Sequence, residues 1–363
     1  VKLVQFGAGN IGRSFIGQLF SKAGWEVVFV DIDESVIDEL NRRGAYRVEI
    51  KDRNPLSVKV EHVRGVSGRD TDRVSDEVCS ADLVATAVGK KALTHIMKPI
   101  AAGLRKRLSC TPDSTLDIII CENMLDGAAV VREGLKKHLP DDFPLENMVG
   151  LVETSIGKMV PIMSEADRAD DPLLVYAEAY NTLILDKKGF RGRLPDVPGL
   201  DPKDNIKAYV DRKLFIHNMA HGVTGFVGHV FRPDYRFVWE AAKDPVIQAV
   251  VREAMWESGE ALLKEYVLEF DRESIDAHIE DLLGRFQNEA LGDSIYRVGR
   301  DLYRKLGPDD RLIGSILLCR RNGIIPKRIA LATACALFFD AKDAEGNELE
   351  SDRSFHEKES ILG

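Results

Sequence analysis

The stretch Lys2-Leu3-Val4-Gln5-Phe6-Gly7-Ala8-Gly9-Asn10-Ile11-Gly12-Arg13 runs from a strand-like apolar segment through a G-x-G-x-x-G loop into helical spacing over Ile11–Ala23. In such a loop the first glycine makes a tight turn. The second lets the backbone approach a pyrophosphate, and the third lets helix and strand pack closely. The free N–H groups at the helix N-terminus then favour a diphosphate. Asp31 closes the next strand candidate, Glu26–Asp31, 19 residues past Gly12. A carboxylate there accepts hydrogen bonds from both ribose hydroxyls and repels a 2′-phosphate. No Lys or Arg follows before Arg42. The reading is an NAD site built from Gly7, Ala8, Gly9, Asn10, Ile11, Gly12 and Asp31.

Working outward, further apolar runs at Asp82–Val88, Asp117–Asn123 and Met148–Glu153 alternate with helical patterns at Glu34–Arg43, Lys91–Arg107 and Gly127–His138. Strands separated by helices of that length predict βαβ units and a parallel sheet. Tyr46–Asp52 with Leu56–Val66, and Leu174–Asp186, read as antiparallel additions at a sheet edge. Gly189, Gly192, Pro195, Pro198, Gly199 and Pro202 cluster in a short stretch, which marks a domain boundary. Almost every later segment reads as helix. The expected architecture is an α/β Rossmann-type N-terminal domain over 1–195 and a mostly α-helical catalytic domain over 196–363, with the active site in a cleft between them.

Of the 363 residues, 50 are Lys or Arg and 59 are Asp or Glu, a net charge of −9. An acidic chain disfavours nucleic acid and anionic membranes as partners. The strongest apolar run, Ile329–Phe339, is far shorter than the roughly 20 residues that span a bilayer. Five scattered cysteines form no C-x-x-C pair, so neither a disulfide framework nor structural zinc is expected. A cytoplasmic protein acting on a small molecule fits these features, and the oligomeric state is not readable.

In the second half, Asp211–His221 reads as helix. On a wheel of about 100° per residue, Lys213, His221 and Asn218 fall at about 0°, 80° and 140°. His217 and His221, four apart, with His229 nearby, could suggest a metal. No H-E-x-x-H is present, and no metal is expected.

Lys213-x4-Asn218-x2-His221 resembles the catalytic motif of the polyol-specific long-chain dehydrogenases, the mannitol dehydrogenase family, which work without a metal. The likeness spans nearly the whole chain. GAGNIGR, AVGKKALTHIMKPIAAGLRKR, CENM at Cys121–Met124, DRKLFIHNMAHG and GRFQNEALGDSIYRVGRDLYRKL are similar to the branch that interconverts D-mannitol 1-phosphate and D-fructose 6-phosphate with NAD. The resemblance implies that Lys213 is the general acid/base, and a lysine in that role needs its pKa lowered by burial or nearby positive charge. It implies that Asn218 and Asn123 donate to the developing alkoxide or carbonyl oxygen, and that His221 orients the substrate. His217 is read as a packing residue.

One departure stands out. Where the family commonly carries an Asp-Arg pair, this chain has Ile156-Gly157-Lys158, so Glu153 or Asp211 would have to replace that carboxylate. Arg297, Arg300 and Arg304 fall within about 60° on one helix, opposite Val298, Leu302 and Leu306. A guanidinium cluster suits a dianionic sugar phosphate, so Arg297 or Arg300, helped by Lys305, is expected to bind it. The alternatives are a dehydrogenase of the same family acting on another polyol, sugar phosphate or hexuronate, and an NAD-binding regulatory protein without catalysis.

Overall fold

Parallel strands covered on both faces need apolar side chains on both sides of the ribbon, and the short runs of the first half supply them. In the computed structural model, which describes residues 1–52, 54–124, 126–161, 163 and 165–362, two units form, Val1–Ile206 and Lys207–Gly363. The first contains strands β1 Lys2–Phe6, β2 Glu26–Asp31, β3 Ala45–Ile50, β4 Leu56–Glu61, β5 Val63–Ser67, β6 Leu83–Thr86, β7 Leu116–Ile120, β8 Val149–Ser155, β9 Val175–Ala177, β10 Leu183–Asp186 and β11 Leu200–Lys203. Among the described residues the main sheet has the order β11-β10-β8-β7-β6-β1-β2-β5. From β5 through β8 it is parallel.

Alternate residues of one strand feed opposite cores, as the period of two requires. Leu3, Val27 and Phe29 join one cluster with Phe15, Ile16 and Phe20. Val4, Phe6, Val28 and Val30 join the other with Ile100 and Leu104. The chain leaves β1 first toward β2 and β5, then returns to build β6, β7 and β8 on the other side. That reversal places the switch point, where ligands bind in such sheets, at the carboxyl ends of β1 and β6. This is a Rossmann-type domain.

Three details differ from the sequence reading. The run Leu56–Val66 is two strands. His62, at φ 57°, turns the chain out of β4, which pairs antiparallel with β3 in a separate small sheet completed by β9, and into β5, a parallel edge strand beside β2. The antiparallel edge addition is β10 against β8. The Gly/Pro-rich stretch does not end the first unit, because its last residues form β11, which pairs with β10, and the unit runs to Ile206.

The second unit is helical. Its central helix runs through Met219–Phe231 and is buried almost all round, the pattern of a core helix. Glycines 225 and 228 let neighbours approach it closely: a Cβ on Gly225 would lie 3.3 Å from Val298, and one on Gly228 2.9 Å from Ala241.

Two glycine substitutions test this packing in opposite directions. A Cβ on Gly17 would lie 2.5 Å from the Tyr46 hydroxyl and 2.6 Å from the Phe29 ring, so Gly17→Ala should cost about 1–3 kcal/mol by overpacking. Gly284 lies in the helix Arg272–Phe286 with nothing within 4 Å of such an atom, so Gly284→Ala should add about 0.5–1 kcal/mol. Urea denaturation midpoints measure both.

Candidate active site

In the first unit the glycine loop is held rigidly. Gly7 sits at φ 93° and donates its N–H to the Val30 carbonyl (2.8 Å). A side chain on Gly7 would strike the Ala87 carbonyl, and one on Gly12 the Gly7 carbonyl. Gly9 is different: the space where its Cβ would lie is open for 4 Å, so a diphosphate can approach there. Asn10 and Ile11 begin the helix, whose first N–H groups lack intrahelical acceptors. Buried Arg13 clamps the loop, its Nε donating to the Ala8 carbonyl (2.6 Å) and its Nη1 to the Pro172 carbonyl (3.0 Å).

Asp31 accepts from the Ala8 N–H (2.6 Å) and from the Asp33 N–H (3.1 Å), one on each oxygen. A carboxylate has about four acceptor sites, so each oxygen keeps capacity for a ribose hydroxyl. The loop therefore fits NAD. Across the switch point, buried Glu122 accepts from the Val88 and Gly89 N–H groups (2.9 and 2.8 Å), and burial raises its pKa. Asn123 follows on an exposed loop; the strand expected to run to Asn123 ends at Ile120.

In the second unit the expected helix over 211–221 is present, but its middle, Lys213–Asn218, is a π turn. The Met219 N–H donates to the Leu214 carbonyl five residues back. Residues five apart, which an α-helix would separate by about 140°, come one above the other in such a turn, and Lys213 and Asn218 are such a pair. π turns recur at functional sites. Lys213 is partly buried. Desolvation and then the positive charge of Arg311 lower its pKa to about 8, against a smaller raising effect of Asp310.

His221 is fixed on two sides: its Nε2 lies 3.2 Å from Asp293 Oδ2, and its ring stacks on Phe286 at 5.1 Å. Burial lowers its pKa although Asp293 opposes the shift. His217 is buried and tilts against the same Phe286 ring at 5.8 Å. Burial and the nearby cations Arg285 and Lys213 keep it neutral. Both suggested replacement carboxylates have partners within the protein. Glu153 accepts the Ala128 N–H (3.0 Å), and Asp211 is bound by Lys207 (2.6 Å) and the Tyr266 hydroxyl. Among the described residues no group of three His, Cys, Asp or Glu side chains is placed to hold a metal ion.

The single basic helix expected over 297–306 is a correction. Ile295–Gly299 and Leu302–Lys305 are separate short helices, because Asp301 at φ 73° breaks the ladder between them. The wheel argument for Arg297, Arg300 and Arg304 therefore fails. Arg297 pairs with Asp293, and Arg300 lies over the Tyr296 ring at 5.5 Å. Lys305 is buried rather than solvent-facing, donating to the carbonyls of Val298 and Arg300. Its pKa falls to about 7 through burial and then Arg311 and Arg304. Sequence reasoning missed Asp293, Phe286 and Arg311. For Asp293 a signal existed, its i,i+4 spacing from Arg297; for Arg311 none did.

The mannitol dehydrogenase Rossmann domain family matches residues 1–199, and the mannitol dehydrogenase C-terminal domain family matches residues 205–360. The fold is similar to that of Pseudomonas fluorescens mannitol 2-dehydrogenase in ternary complex with NAD and D-mannitol. That chain is 18% identical, with 96% of this chain and 81% of that one covered and a TM-score of 0.71. It is also similar to a substrate-free D-sorbitol dehydrogenase, 17% identical, with 96% and 82% covered and a TM-score of 0.78. The chain is an NAD-dependent polyol dehydrogenase. It belongs to the mannitol dehydrogenase family.

Asp31→Ala removes both the ribose acceptor and the repulsion of a 2′-phosphate. NADH binding should weaken about tenfold or more, as expected for a charge-assisted hydrogen bond worth roughly 1.5–3 kcal/mol, and the preference over NADPH should narrow. Fluorescence titration with both nucleotides measures this; an unchanged preference would contradict the role of Asp31.

Proposed function

We propose that the chain interconverts D-mannitol 1-phosphate and D-fructose 6-phosphate with NAD, as a cytoplasmic enzyme. The observation that carries the reading is Lys213, an amine held near pKa 8 on the turn that also presents Asn218, with His221 one turn further on. Bound NAD supplies the hydride acceptor at the alcohol carbon. Lys213 in its neutral form takes the hydroxyl proton and, as the ammonium, returns it in the reverse direction. Asn218 and Asn123 donate hydrogen bonds to the oxygen as charge develops on it, the differential stabilisation that raises turnover. His221, its Nε2–H directed at the Asp293 carboxylate and its ring stacked on Phe286, accepts at Nδ1 from a neighbouring substrate hydroxyl. Gly7 to Gly12 hold the diphosphate and Asp31 the adenosine ribose. The resemblance of the 284–306 stretch supports a phosphorylated substrate; of its sequence-derived candidates Arg297, Arg300 and Lys305, Arg297 is paired with Asp293 and Lys305 is buried on two carbonyls. The five cysteines form no disulfide among the described residues, which fits a reducing compartment.

The assay is NADH consumption with fructose 6-phosphate and with free fructose. The proposal expects far greater efficiency with the phosphate ester; equal efficiency would favour a free-polyol enzyme. Alcohol oxidation requires the neutral amine, so its rate should rise with pH through about 8. Reduction requires the ammonium and should fall through the same range. Lys213→Ala should lower turnover about 100- to 10,000-fold, the usual worth of general acid–base catalysis, while NADH still binds. A Lys213→Ala enzyme with near-normal rate and pH profile would refute the lysine's role.

A further inference from the structure

Residues 307–314 run against the helix that carries Lys213. A Cβ on Gly314 would lie 2.9 Å from the Phe215 ring, and one on Gly222 would lie 3.4 Å from Arg311 Cδ. These two contacts bracket Asn218 and His221 along the helix, and Arg311 is 9% exposed. The Asp310 carboxylate accepts from Arg311 Nε (2.8 Å) and from the Arg311 backbone N–H (2.7 Å). The Arg311 carbonyl accepts from the Ser315 hydroxyl (2.5 Å). With its backbone and Nε both tied, the guanidinium has a fixed direction.

Its two terminal nitrogens have no hydrogen-bond acceptor among the described residues. A guanidinium carries five N–H donors, so the four N–H groups of the terminal nitrogens are left for solvent or a ligand to meet. The Asp310 carboxylate is shared: its other oxygen is bound by Arg304 (3.2 Å), which also pairs with Asp301. The other basic groups of this stretch are engaged: Arg297 with Asp293, Lys305 with two carbonyls. The charge of Arg311 is felt by both Lys213 and His221, so the fork lies within electrostatic reach of the reacting groups.

We infer that Arg311 binds the phosphate monoester of the substrate through its two terminal nitrogens, an inference that rests on the sugar-phosphate reading above. A planar fork meets two phosphate oxygens at once. A phosphate also gives the guanidinium charge-assisted hydrogen bonds, which a sugar hydroxyl does not. The phosphate sits at the opposite end of the sugar from the reacting carbonyl, so Arg311 sets the distance and direction in which the substrate lies along the helix.

The test compares kcat/KM for fructose 6-phosphate and for fructose, with saturating NADH, in the unmodified enzyme, Arg311→Met and Arg311→Lys. Efficiency with fructose 6-phosphate should fall about 100-fold or more in Arg311→Met, as when one partner of a buried ion pair is removed. Fructose should lose much less, so the ratio of the two collapses. Arg311→Lys keeps the charge without the fork and should recover part of the ratio through a raised KM. Because the readout is a ratio within one protein, a partly destabilised variant still reports; if Arg311→Met does not fold, Arg311→Lys carries the test alone. A general change in Lys213 basicity would move both substrates together and leave the ratio intact. An unmodified enzyme that does not prefer the phosphate ester overturns the sugar-phosphate reading. A preference that is present and survives in Arg311→Met, or in full in Arg311→Lys, overturns the assignment to Arg311 alone.

Discussion

A lysine amine kept out of water beside a second positive charge is the constraint on which the helical unit turns. An exposed lysine, with a pKa of about 10.4, is almost wholly protonated at neutral pH and cannot accept a proton from an alcohol. Partial burial of Lys213 and the neighbouring Arg311 bring it to about 8, where both protonation states are populated. Each supporting feature serves that arrangement. The helix is buried on nearly every side, the π turn brings Asn218 into line with the lysine, and the 307–314 segment packs against it at Phe215 and Gly222. The chain has Gly157 where the sequence reading expected a carboxylate. A Cβ on Gly157 would make only ordinary contact with Tyr180, at 3.7 Å, so the glycine is not demanded by packing.

The nucleotide unit works by a different economy. Its loop contributes backbone rather than side chains, and three glycines are used in three ways. Gly7 and Gly12 have no room for a Cβ, whereas Gly9 faces open space. Arg13 and Asp31 then fix the loop from either side through the Ala8 carbonyl and the Ala8 N–H. The carboxylate that stabilises the loop is the same one expected to select the cofactor.

What was legible in the sequence was what depends on local pattern. Strands β1 and β2 and the helix Glu34–Arg43 lie at the residues the apolar runs indicate, because a strand buried on both faces admits little else. Glycine spacing with Asp31 identified the cofactor, and Lys213, Asn218 and His221 do share one continuous helix. What was not legible depends on backbone choices that composition does not signal. His62 and Asp301 adopt left-handed conformations without being glycine. The first splits one apparent strand in two, and the second breaks the apparent basic helix. The π turn in KLFIHN carries no Gly or Pro to announce it. Arg311 reaches the catalytic helix through a loop contact whose register only the folded chain sets.

The central claim is that Lys213 titrates near neutrality because it is desolvated beside Arg311. The most direct measurement is the pH dependence of amine-selective labelling of the folded protein, followed at the peptide containing Lys213 by mass spectrometry. The account predicts labelling that rises through an apparent pKa of about 8, well below that of exposed lysines in the same digest. A Lys213 that titrates with those lysines, near 10.4, would contradict it.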